Sequence, residues 1–162
     1  MTGSPYRTAL LGTGRIGSHH ARTIHREVHG LDLVLLADPV AGRLYTAVRG
    51  RGARVEPLTE GAAGAVGAAP RVLETVEDLP LSEGMVIAHY QLTQDAGIGR
   101  AIEASRGMRC YGAAALEMTE VAAGSAVVYA QPRLQPWDVA AAALLCTETG
   151  VVLTRMDGAP FD

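Results

Sequence analysis

The chain has 162 residues, 48% of them hydrophobic and 19% charged, which is enough to bury one globular core without help from disulfides. A net charge of −3 gives no electrostatic reason to expect nucleic acid or an acidic membrane as partner. There is no lysine and no asparagine, so a P-loop lysine, a Schiff base and a kinase-type catalytic asparagine are all excluded.

Taken in chain order, Tyr6 to Leu11 reads as a strand that runs into Gly12-Thr13-Gly14-Arg15-Ile16-Gly17. Ser18 to Val28 then reads as a helix, with Ala21, Ile24 and Val28 on one apolar stripe. The apolar run Leu31 to Ala37 is a buried strand, stopped by Asp38-Pro39. Arg43 to Arg49 alternates as a strand does, so 31–37 and 43–49 form a hairpin across 38–42. The glycine- and alanine-rich stretch Gly61 to Pro70 is a surface loop, and Glu74, Glu77 and Asp78 form a solvated acidic face.

From Met85 the pattern becomes regular. Strands are expected at 85–90, 108–111, 125–130 and 151–155, and helices at 94–105, 113–123 and 137–149. Leu116, Met118, Val121 and Ala122 are the packing positions of the second of these helices, and Pro136 suits the first turn of the third. Trp137 is expected in the core, and Cys110 and Cys146 as buried reduced thiols. Alternating strands and helices give an α/β fold, a layered sheet with flanking helices. No apolar stretch reaches membrane-spanning length and residues 1–10 carry no leader-like apolar run, so a cytoplasmic protein is expected.

The glycine loop has the context that a dinucleotide site needs, a strand before it and a helix after it. Gly12 would allow the tight turn, Gly14 the approach of a pyrophosphate, and Gly17 the packing of helix on strand. Asp38, about 20 residues on, stands where a carboxylate would accept from a ribose hydroxyl. The plainer alternative is a turn whose glycines serve chain geometry alone. The stretch from Tyr6 to Pro39 resembles the opening of the inositol dehydrogenase and glucose–fructose oxidoreductase family. That resemblance implies NAD(P) held by Gly12, Gly14, Arg15, Ile16, Gly17 and Asp38 in a Rossmann-like βαβ segment over 1–39. The family's active-site lysine is absent here, so its hydride-transfer mechanism is not expected.

From Asp38 onward the chain resembles a second family. The words Asp38-Pro-Val-Ala-Gly42, Gly112-Ala113-Ala114-Ala115-Leu116 and Pro136-Trp137-Asp138-Val139-Ala140 are similar to the C-terminal part of the inositol monophosphatase family. The two resemblances meet at Asp38-Pro39, so the chain reads as a chimera with a phosphatase-like domain over 40–162. The resemblance implies Mg²⁺-dependent hydrolysis of a small phosphorylated polyol or nucleotide. It makes Asp138 a metal ligand and places Gly112, Ala113, Ala114 and Gln131 beside the substrate. The family's main Asp-Pro-x-Asp-Gly-Thr metal loop is absent, and one carboxylate cannot supply the oxygens a hard cation needs. No catalytic residue is assigned, and little or no phosphatase activity is expected; a non-catalytic binding or scaffold domain is the third reading. Asp138 has a plainer role open to it, as a helix cap. His19, His20, His25 and His29 lack the partners of a metal site and read as exposed. Unpaired sheet edges point to a homo-oligomer.

Overall fold

Strand β1 (Leu33–Asp38) and strand β2 (Arg43–Val48) form the expected hairpin in the computed structural model, which describes residues 33–38, 41–57, 69–74 and 77–161. The register sets Leu36 opposite Tyr45 and Asp38 opposite Arg43. Two strands that the sequence reading missed extend the sheet, β3 (Ala53–Pro57) and β4 (Arg71–Leu73), giving the antiparallel order β1-β2-β3-β4. Gly50 and Gly52 are the turn into β3; their φ values of 70° and 79° are why glycine stands there. Tyr45, Ala47, Ala53 and Leu73 are buried on one face of this sheet.

The second sheet is parallel, with order β6-β5-β7 from β5 (Val86–Ala88), β6 (Met108–Arg109) and β7 (Val128–Ala130). Parallel neighbours need crossovers, and helices supply them. Helix α1 (Ala96–Ala104) joins β5 to β6, and helix α2 (Ala114–Ala122) joins β6 to β7. Asp95 starts α1 by accepting from the N–H groups of Gly97 and Ile98 at 2.8 and 3.0 Å. Helix α3 (Pro136–Glu148) follows β7.

α3 packs along α2 on one side and on β1 and β2 on another, while α2 also meets β7. The helix pair is therefore a middle layer between the two sheets. That position explains the composition of α3, which buries Val139, Ala142, Leu144, Leu145 and Cys146 and carries few charges. Its Leu145 joins Tyr45 and Met118 in the main core, and Ile87, Val121 and Ala126 form a second, smaller cluster.

Several expectations are corrected. Residues 151–155 form no strand; Thr154 makes one isolated bridge to Pro160, and Val152 is 84% exposed. A β-branched run alone did not distinguish a strand from an extended tail. The strand at 85–90 is shortened to 86–88 because a 3-10 turn begins at Tyr90. Trp137 is half-buried and stands outside the core clusters. Cys146 is buried but Cys110 is exposed, since it lies in a loop beyond the two residues of β6. The expected strand 6–11, helix 18–28 and the four front histidines lie outside the described residues. β1 and β2 pair across the boundary drawn at residues 39 and 40.

Candidate functional site

β6 ends at Arg109, and the chain turns through Cys110–Ala113 into α2. Gly112 has φ 74°, so the turn itself calls for glycine. Ala113, the N-cap of α2, has no side chain able to cap the helix. Glu117, one turn into the helix, instead holds the loop that precedes the N-cap. Its Oε1 accepts from the N–H of Tyr111 at 2.5 Å and of Gly112 at 3.0 Å, and the residue is only 1% exposed. A carboxylate near the positive end of a helix is favoured there. Sequence reasoning singled out Gly112, Ala113 and Ala114 and missed Glu117. The signal was a fully buried position taken by an acid in the first turn of the helix.

Asp138 occupies the first turn of α3, behind Pro136. Its Oδ2 accepts from the Gln135 N–H at 2.8 Å, which is the capping geometry. Gln131 follows β7. Its Oε1 receives the Tyr129 hydroxyl at 2.6 Å, and its Nε2 reaches the Arg133 carbonyl at 3.4 Å.

Tyr129 is where these pieces meet. Burial pushes its phenol well above the ordinary tyrosine range, and the negative charges of Glu117 and Asp138 push it further in the same direction. Those charges reach the phenol from the first turns of both helices. Glu117 holds the Gly112 loop, the Tyr129 hydroxyl holds the Gln131 amide, and the charges of Glu117 and Asp138 act on that phenol.

Asp38 is engaged elsewhere. It is 6% exposed; Oδ1 accepts from the Ala41 N–H at 3.0 Å and Oδ2 from Arg43 at 3.2 Å. Arg43 also donates to Glu120 of α2 at 3.0 Å and lies over the Tyr45 ring. This network ties the hairpin to the helix layer. Gly12, Gly14, Arg15, Ile16 and Gly17 lie outside the described residues, so they are not brought together with Asp38 here.

A divalent cation asks for six or more oxygen ligands. Among the described residues no three His, Cys, Asp or Glu side chains stand together as a ligand set. Asp138 by itself does not fit a Mg²⁺ site. The corner offers instead a backbone turn, an amide, a phenol and a carboxylate, a set suited to holding hydroxyl groups.

A model of the inositol monophosphatase family matches residues 31–162. Inositol-1-monophosphatase of Bacillus subtilis is 35% identical over 132 residues, which is 78% of this chain and 45% of that protein. The solved structure of an IMPase/NADP phosphatase complexed with NADP and Ca²⁺ superposes with a TM-score of 0.64 at 25% identity, covering 80% of this chain and 46% of the other. Inositol monophosphate-bound SaIMPase-II gives 0.62 at 28% identity, covering 78% and 47%. The chain thus spans a little under half the length of these relatives. The family match begins at residue 31, inside the segment that resembled a dehydrogenase, and none of the three comparisons supports that resemblance.

Proposed function

The chain belongs to the inositol monophosphatase family, and from that premise we propose that the corner around Tyr129 binds a small phosphorylated polyol or nucleotide. The Tyr129–Gln131 hydrogen bond, on a phenol that the charges of Glu117 and Asp138 act on, carries this reading. The exposed backbone of Gly112 runs beside the ligand, with Ala113 and Ala114 lining the turn into α2. Gln131 meets a ligand hydroxyl, and Asp138 supplies one carboxylate toward a cation that the ligand brings. The donor set of the described residues does not fit a metal centre. A nicotinamide site is not favoured: it asks for a helix after Asp38, and Arg43–Val48 is a strand.

Calorimetry tests the proposal, with D-inositol 1-phosphate titrated into the chain in the presence of Mg²⁺. Saturable binding, weakened at least tenfold by Gln131→Ala, is expected, with phosphate release at the buffer blank. No binding by a chain that circular dichroism shows to be folded would overturn it.

A further inference from the structure

The chain leaves β5 toward β6 on one side and comes back to β7 on the other, so the strand order reverses between β5 and β7. In an open α/β sheet, the crevice outside the carboxyl ends of two such strands is where ligands are held. The residues that leave those ends are His89 and Gln131. Ala88 pairs with Ala130, and the parallel ladder runs one step further, the His89 N–H donating to the Ala130 carbonyl at 3.1 Å. Successive side chains alternate between faces, so His89 and Gln131 share the face of Ile87 and Tyr129, about one strand spacing apart. That face is the one α2 covers, since Ile87 clusters with Val121 and Tyr129 packs against them. His89 therefore stands next to the Gln131 amide, which the Tyr129 hydroxyl holds at 2.6 Å.

The imidazole is fixed in orientation and in tautomer. Its Nδ1 accepts from the Gln91 N–H at 3.3 Å, capping the 3-10 turn Tyr90–Gln94, and its ring lies against that of Tyr90 with centroids 4.5 Å apart. An accepting Nδ1 leaves the proton of the neutral ring on Nε2. That Nε2–H has no hydrogen-bond partner among the described residues, and His89 is half-buried. We propose that His89 is a ligand-binding residue of the candidate site, donating from Nε2–H to a ligand hydroxyl oxygen beside the one that Gln131 meets. A phosphate is the poorer partner there, because the negative charges of Glu117 and Asp138 already act on the Tyr129 phenol that holds Gln131. The placement and the tautomer are properties of the chain alone; the ligand's identity rests on the function proposed above.

Two replacements separate the two ring nitrogens. His89→Asn keeps an acceptor for the Gln91 N–H, asparagine being a good N-cap, and removes the Nε2 donor. His89→Gln carries an NH₂ group out toward the Nε2 position and gives up the cap. The experiment is calorimetry on the full chain with D-inositol 1-phosphate and Mg²⁺, alongside urea titrations of stability. His89→Asn should unfold as the unsubstituted chain does and bind about three- to tenfold more weakly, the loss of one hydrogen bond. His89→Gln should be the less stable variant and the tighter binder of the two. His89→Asn binding as tightly as the unsubstituted chain would overturn the proposal, leaving His89 a cap and the proposed function standing; so would the opposite order of the two variants' affinities. Inorganic phosphate should not distinguish the unsubstituted chain from His89→Asn; a matching loss there moves the contact to the phosphate and overturns the hydroxyl assignment. If His89→Asn does not fold, the unsubstituted chain decides. Its imidazole nitrogen signals at pH 8 must show the proton on Nε2 and must move when D-inositol 1-phosphate is added; a proton on Nδ1, or signals that stay in place, is the contrary result. A folded unsubstituted chain that binds no D-inositol 1-phosphate overturns the ligand class, and the His89 contact falls with it.

Discussion

Asp38 and Arg43 face each other at the closed end of the first hairpin, and their side chains meet at 3.2 Å. The carboxylate also holds the Ala41 N–H of the turn, and the guanidinium reaches on to Glu120, so one pair fastens hairpin, turn and α2. Asp38→Ala leaves two donors short of an acceptor at a mostly buried site. We expect it to lower unfolding free energy by about 1–3 kcal/mol in urea titrations. A carboxylate reserved for a cofactor would leave stability unchanged on removal.

A second tie joins the end of α3 to the β2–β3 turn. Glu148 accepts from the N–H of Gly50 at 2.8 Å and of Gly52 at 2.9 Å. These bonds hold its carboxyl below the ordinary value of 4.5. The folded pKa is the lower one, so the stabilisation is present above about pH 4.5 and fades as pH falls through the folded value. Glu148→Gln should cost about 1 kcal/mol at pH 7, a figure kept small because solvent screens the site. The difference between variant and parent should shrink in acid, and thermal melts from pH 7 down to pH 3 measure it.

The two thiols should separate cleanly. Burial pushes Cys146 up to about 12, and its thiol points at the Met118 carbonyl, whereas Cys110 is exposed. At pH 8 an alkylating reagent should modify one thiol per folded chain, and peptide mapping should find it at Cys110. Modification of Cys146 should appear only in denaturant. Because the folded Cys146 pKa is the raised one, its contribution to stability is lost as pH climbs above the unfolded value of about 9.

Gly84 sits against the side chain of Val127 where the chain enters β5. A methyl group at residue 84 would overlap that isopropyl group, although the backbone there is of a kind any residue adopts. Gly84→Ala should cost about 1–3 kcal/mol. Val127→Ala should recover much of that loss in the double variant, the sign of a steric cause rather than a backbone one. Denaturant midpoints of the three variants decide it.

Much of the architecture was legible in the residues. The alternation of Arg43–Arg49 identified the hairpin, and the helix expected over 137–149 behind Pro136 matches α3 to within a residue. What escaped were short strands whose identity depends on neighbours. Arg71–Leu73 is three residues long and exists as β4 only because β3 offers it a ladder. Val151–Arg155 has the better β composition yet has no ladder of its own. At the candidate site, the turn glycine and Asp138 announced themselves by local wording. Glu117 and Tyr129 did not, because their importance comes from a meeting between α2 and β7 that no spacing encodes.

The most direct test of the central claim is a backbone signal map of the labelled chain during titration with D-inositol 1-phosphate and Mg²⁺. The account predicts saturable shifts confined to residues 89–91, 110–117 and 129–138. A folded chain whose signals do not move, or whose shifts fall among residues 12–17 instead, would contradict it.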